Sequence, residues 1–161
     1  MNLEVGSKAP AFSLEGPGGR KYSLDDFHGR WLVLYFYPKD STPGCTAEAC
    51  EFRDAKNEFD TLGAAVAGIS PDDAESHASF AQAFDLNFTL LSDPGRATLE
   101  DYGVWAEKNM YGKKYMGVKR ATCIIDPEGK IAHVWPNVNP ENHAAQVAEK
   151  LRELQAANPW K

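Results

Sequence analysis

Cysteine is scarce in this chain, at three residues in 161. An odd, small number cannot build a fully paired disulfide framework, so any disulfide is expected to be transient, in a reducing, cytoplasmic compartment. Long apolar runs are also missing: nothing approaches the roughly 20 residues that a membrane-crossing helix requires. The start, MNLEVGSKAPAF, has no basic segment followed by an apolar one, so no signal peptide is expected. Basic residues are in the minority, 17 Lys and Arg against 23 Asp and Glu, and the net charge of −6 opposes nucleic acid or an anionic membrane as the main partner. His28, His77, His133 and His143 are scattered without ligand spacing, which argues against zinc. No repeat, low-complexity run or long linker divides the sequence, so residues 1–161 are read as one domain.

Apolar residues make up 43% of the chain, enough for one sizeable core. GPGGR (16–20) separates the short extended segments AFSLE and KYSL and reads as a hairpin turn, since no Gly-Lys-Ser/Thr follows to make a phosphate loop. WLVLYFY (31–37) is continuously apolar, as a strand covered on both faces would be, and AAVAGIS (64–70) reads as a second such strand. A helix is predicted over about 43–62, and another from Pro71, capped by Ser70, with Asp72 and Asp73 in its first turn. FTLLSD (88–93) is extended, and RATLEDYG is a helix closed by Gly103. ATCIID, PEGK and IAHVW make strand, turn and strand. The last helix is predicted from Pro140 to about Ala157, with Ala144, Val147, Leu151 and Leu154 along one stripe. KNMYGKKYMGVKR (108–120), where Lys and Arg alternate with Tyr and Met, is read as a solvated loop rather than a nucleic-acid surface. This order predicts an α/β fold, a mixed sheet with helices on both faces.

Two cysteines fall five positions apart in STPGCTAEAC (41–50). Thr42 is a candidate N-cap, Pro43 suits the first helical position, and Cys45 is then the third residue, where unpaired N–H groups and the helix dipole favour a thiolate. Ala49, Phe52 and Phe59 lie within about 40° of Cys45, whereas Cys50 is about 140° round, toward Asp54 and Asn57. In an intact helix the two Cα atoms are about 8.6 Å apart, beyond the roughly 7 Å that a disulfide spans. The pair can bond only if the helix unwinds locally. Cys-x4-Cys is not the Cys-x2-Cys of a thioredoxin-type redox pair. The residues by themselves leave two readings open, reactive thiols or small buried core residues.

YFYPKDSTPGCTAEACEFRD resembles the peroxiredoxins, specifically their bacterioferritin-comigratory or Q-type subfamily. Pro38, Thr42 and Cys45 match the family's Pro-x-x-x-Thr-x-x-Cys motif, Cys50 matches the subfamily's second cysteine, and the similarity extends over nearly the whole chain. The resemblance implies a thioredoxin-like fold with an N-terminal β-hairpin and a thiol-dependent peroxidase acting on hydrogen peroxide and organic hydroperoxides. It implies that Cys45 is the peroxidatic nucleophile and Cys50 the resolving thiol, joined in an intramolecular disulfide that thioredoxin or a similar dithiol reduces. Thr42 would hydrogen-bond the reacting atoms, Pro38 would shield them, Arg120 would be the active-site arginine and Glu48 the acid orienting it. No metal, haem, flavin or other cofactor is implied, and a monomer is expected. Cys123 departs from the family pattern, where a bulky apolar residue is common, and is read as a buried core residue. Trp105, Met110 and Tyr111 are candidates to rim a pocket for an alkyl tail. The competing readings are a disulfide oxidoreductase and a non-enzymatic holdase. A consequence for motion follows: residues 43–50 should be ordered when reduced and disordered when disulfide-bonded.

Overall fold

The computed structural model describes Met1 and residues 3–157. β1 (Ser13–Glu15) and β2 (Lys21–Ser23) form the expected antiparallel hairpin, with the Gly16 N–H donating to the Arg20 carbonyl at 2.8 Å. β3 (Trp31–Phe36), β4 (Ala64–Ser70) and β5 (Thr89–Ser92) run parallel to one another. β6 (Trp105–Met110) and β7 (Lys113–Val118) form a separate antiparallel hairpin. β8 (Ala121–Ile125) pairs antiparallel with β3, and β9 (Ile131–Trp135) antiparallel with β8, completing a seven-stranded sheet of order β2-β1-β5-β4-β3-β8-β9. β3 lies between β4 and β8, which is why all six of its residues are apolar and buried. Leu32, Leu34 and Phe36 enter one core, while Trp31, Val33 and Tyr35 enter the other.

The helices are α1 (Pro43–Asp54), α2 (Lys56–Thr61), α3 (Ala74–Phe84), α4 (Ala97–Asp101) and α5 (His143–Ala157). Side chains of α1, α2, α3 and α5 join the Val33 and Tyr35 core; α4 and the amino-terminal segment cover the Leu34 face. The fold is therefore the mixed α/β sheet with helices on both faces that the sequence predicts. Among the described residues no helix is long and apolar enough to cross a membrane.

Four boundaries differ from the sequence expectation. The helix predicted over 43–62 bends at Ala55 (φ −89°, ψ 3°) into α1 and α2. The ladder stays nearly whole there, since the Ala55 N–H still reaches the Glu51 carbonyl at 3.0 Å and the Phe59 N–H the Ala55 carbonyl at 3.1 Å. A single-residue change in ψ leaves hydrophobic periodicity intact, so the pattern cannot reveal it. Helix α3 begins at Ala74 rather than Pro71. Asp73 supplies its cap, accepting the Ser76 N–H at 2.8 Å, and Ser70 ends β4 instead. Helix α5 begins at His143 rather than Pro140 because Asn142 has a left-handed backbone (φ 60°). Its cap is tertiary: the Glu51 carboxylate of α1 accepts the Asn142 N–H at 2.9 Å and the Ala144 N–H at 3.5 Å. The stretch 108–120 is mostly the β6–β7 hairpin and not a loop. Tyr111 (φ 53°) and Gly112 (φ 80°) make a two-residue left-handed turn of the kind that suits hairpins.

Candidate active site

Along α1, Cys45, Glu48, Ala49 and Phe52 form one buried stripe facing the sheet. Cys45, Ala49, Phe52 and Phe59 share one core cluster, as their spacing predicts. Glu48 sits in that stripe as a fully buried carboxylate. The acid is held by Arg120, on the short connection between β7 and β8: Nη1 donates to Glu48 Oε1 at 2.7 Å, and Nη2 points at Cys45 Sγ at 3.4 Å. One guanidinium thus touches a carboxylate and a thiol from two consecutive turns of α1, with its planar fork dividing the two tasks. Burial pushes the Glu48 carboxyl up to about 7, with Arg120 only partly offsetting the desolvation. Its second oxygen, Oε2, is buried without a hydrogen-bond partner, which fits a group whose charge is poorly solvated.

Gly44 is part of this geometry. A Cβ placed there would lie 3.1 Å from Arg120 Nη2 and 3.7 Å from Pro140 Cγ, so the guanidinium approaches the first turn of α1 because that position has no side chain. The Val138 N–H also donates to the Arg120 carbonyl at 3.0 Å, fixing the arginine backbone from the far end of the chain. Lys108 donates to the Val118 carbonyl at 2.9 Å. Burial, and next the Arg120 charge, lower its ammonium pKa, with Cys45 opposing them more weakly. Gly44, Pro140 and Lys108 were not found by sequence reasoning. Only the glycine carries a local signal, its place between Pro43 and Cys45.

The remaining expected residues are distributed as follows. Thr42 occupies the N-cap position of α1, but its side chain makes no cap bond; Oγ1 donates to the Lys39 carbonyl at 2.9 Å, while the Thr42 carbonyl accepts the Thr46 N–H at 2.8 Å. The local turn competes successfully for the hydroxyl, as threonine turns often do. Pro38 is half-buried in the loop between β3 and α1. Cys50 is half-buried within an unbroken α1, and all three cysteines are free thiols. Cys123 lies in β8 between Leu34 of β3 and Val134 of β9, in the core on the other side of the sheet from Cys45. Burial pushes its thiol pKa far up. Trp105 and Tyr111 do not rim one pocket. They lie about 20 Å apart by strand rise, with Trp105 at the start of β6 under the Arg96 guanidinium at 4.9 Å, and Met110 and Tyr111 exposed at the hairpin tip.

A thiol at a helix start beneath a guanidinium fixed by a buried acid is equipped to attack an electrophile and to stabilise the anion that leaves. Comparison with known proteins agrees with that chemistry. The AhpC/TSA family model matches residues 5–134. A putative peroxiredoxin Bcp of Coxiella burnetii is 50% identical over 151 residues, covering 94% of this chain and all of that one. Among solved structures, the bacterioferritin comigratory protein of Xanthomonas campestris, studied for its alkyl peroxide reduction activity, superposes with a TM-score of 0.87 at 38% identity over 93% of this chain and 98% of its own. A cysteine-to-serine variant of peroxiredoxin Q from Xylella fastidiosa reaches a TM-score of 0.90 at 33% identity over 98% of this chain and 99% of its own. A match that runs through the cysteine helix, the arginine and almost every strand places this chain in the AhpC/TSA family, as a peroxiredoxin: a thiol-dependent peroxidase of thioredoxin-like fold.

Proposed function

We propose that Cys45 is the thiol that attacks peroxide, that Cys50 resolves the product, and that Arg120, Glu48, Thr42 and Pro38 build the site around them. The observation that carries this reading is the single Arg120 guanidinium, 3.4 Å from Cys45 Sγ and 2.7 Å from the buried Glu48. The Cys45 thiolate attacks the terminal oxygen of the hydroperoxide, the O–O bond breaks, and its electron pair leaves with the distal oxygen, which takes a proton to become water or an alcohol. Negative charge grows on that oxygen in the transition state, where Arg120 and the free N–H groups of the first turn stabilise it. Thr42 joins them once its hydroxyl turns from the Lys39 carbonyl toward the substrate.

The Cys45 sulfenic acid is then attacked by the Cys50 thiolate, forming the disulfide and releasing water. Because α1 holds the two residues beyond bonding distance, its first turns unwind for this step. A dithiol reductant, thioredoxin or a similar protein, restores both thiols by exchange. Hydrogen peroxide and organic hydroperoxides are the substrates in this reading. The chain acts as one monomeric domain, since a disulfide within one helix needs no second copy, and free thiols suit a reducing compartment such as the cytoplasm.

The direct test is peroxide consumption by Cys45→Ser together with non-reducing peptide mass spectrometry after one equivalent of peroxide. Loss of consumption and recovery of a Cys45–Cys50 peptide are expected. Undiminished consumption would remove Cys45 from the role, and a Cys45–Cys123 or purely intermolecular product would remove Cys50.

A further inference from the structure

A second buried polar cluster lies outside the thiol site, at the point where the loop between β3 and α1 meets α3. Asp40 is 6% exposed and His77 4%. Asp40 Oδ1 accepts the Tyr37 hydroxyl at 2.6 Å, and Oδ2 accepts the Ser76 hydroxyl at 2.8 Å and faces His77 Nδ1 at 2.7 Å. The Asp40 N–H donates to Asp72 Oδ2 at 2.8 Å, and the Ser70 hydroxyl donates to the same oxygen at 2.7 Å. On the opposite edge of the imidazole, Nε2 faces the Leu91 carbonyl of β5 at 3.1 Å and the Ser70 hydroxyl at 3.4 Å. A backbone carbonyl only accepts, and so does a carboxylate. A hydrogen on each nitrogen would satisfy both edges of the ring at once, and the geometry points to a buried imidazolium paired with a carboxylate.

The charges facing the ring are consistent with that form. Asp40 and Asp72 are carboxylates on the two loops packed against it, Tyr37 presents a hydroxyl, and β5 contributes only a carbonyl. Burial alone would raise the Asp40 carboxyl, but hydrogen bonds from His77 and Tyr37 bring it below its usual value.

The position of the cluster in the chain gives it a role. Asp40 lies midway between Pro38 and Thr42, five residues before Cys45, and its neighbour Ser41 is a non-glycine residue in left-handed conformation (φ 63°). Such a backbone persists only where its surroundings over-determine it. Asp40 is bonded through both carboxylate oxygens and through its N–H, to the end of β3, to α3 and to the loop after β4. The loop is thereby fixed to the sheet by contacts that involve no residue of α1.

We propose that His77 is a positioning residue for the peroxidase reaction: through Asp40 it locks the loop carrying Pro38 and Thr42, so that this loop keeps its shape while α1 unwinds and re-forms. The substrate-facing wall survives each cycle, and unwinding stops at Thr42 on its amino-terminal side. This inference rests on Cys45 as the peroxide-attacking thiol.

The test has three readouts. Nitrogen NMR of histidine-labelled wild-type protein at neutral pH should find both His77 ring nitrogens protonated; a neutral ring overturns the proposal. His77→Gln can bond one edge of the cluster but not both. Its second-order rate constant for peroxide should fall about 10- to 100-fold, the scale set by a displacement of about 1 Å in an active site. Its rate constant with the dithiol reductant should be unchanged, and hydrogen exchange at residues 39–42 should accelerate. An unchanged peroxide constant, or equal losses in both half-reactions, overturns it. Should His77→Gln not fold, Asp40→Asn carries the same expectations. Failure of the underlying reading is separable, because it shows in Cys45→Ser and leaves the ring-nitrogen result untouched.

Discussion

Cys45 and Cys123 are 1% and 0% exposed and lie on opposite faces of one sheet, yet their surroundings have almost nothing in common. Cys123 is packed with Leu34, Phe36 and Ile125, and burial acting alone pushes its thiol upward. Cys45 meets a guanidinium at 3.4 Å and sits in the first turn of a helix. On the proposed reading, burial therefore does not separate the reactive thiol from the inert one. What separates them is the set of donors that accompanies the sulfur into the interior. The sheet adds a second separation, since Cys45 on α1 and Cys123 in β8 belong to the cores on its two sides.

The contrast is broken most completely by exchanging the two thiols for hydroxyls. Cys45→Ser should abolish peroxide turnover, while Cys123→Ser should keep wild-type rate constants and lose about 1–3 kcal/mol of stability in urea unfolding, the cost of an unpaired buried hydroxyl. Next in size is the guanidinium: Arg120→Met should lower the peroxide rate constant about 100- to 1,000-fold in stopped-flow traces, as expected when a preorganised donor to a developing oxyanion is lost.

Glu48→Gln should cost about 10-fold near neutrality, less than the arginine because an amide oxygen still accepts from Nη1. Its clearer signature is in pH. Burial holds the wild-type carboxyl up at about 7, so the rate should climb through that range as the acid ionises and fixes Arg120, and the variant should lack this limb. Stability moves the opposite way. The folded state keeps a proton that an unfolded glutamate releases near 4.5, so this contribution is complete at acid pH and is lost as the pH rises through about 7. The smallest effect should come from Gly44→Ala, whose added methyl meets Arg120 Nη2 at 3.1 Å. A displacement of a few tenths of an ångström should lower the rate about 3- to 10-fold with little change in melting temperature.

Much of this was legible in the residues. The continuous apolar runs give β3 and β4, and the 3.6-residue period gives the stripe Cys45, Ala49, Phe52. Arg120 and Glu48 come only through the family resemblance that the Pro-x-x-x-Thr-x-x-Cys motif and its second cysteine open, and the fold brings them together from 72 positions apart. The illegible parts share a physical cause: each depends on a partner distant in sequence. Nothing near Pro140 announces that Glu51 will cap α5, and nothing near Asp40 announces His77. The hairpin β6–β7 was hidden for a different reason. Its lysines, tyrosines and methionines are mostly exposed, so no buried face imposes the alternation by which strands are recognised.

The carboxylate of Glu51 joins the amino terminus of α5 to the residue directly after Cys50. In the proposed cycle Cys50 swings toward Cys45, so its neighbour would be carried with it, and the last helix would lose a cap of about 1 kcal/mol. On the proposed disulfide, hydrogen exchange at residues 142–146 should be faster in the oxidised protein than in the reduced one, at an element that holds neither cysteine. Oxidation at the thiols would in this way be felt at the start of the last helix, through a single carboxylate.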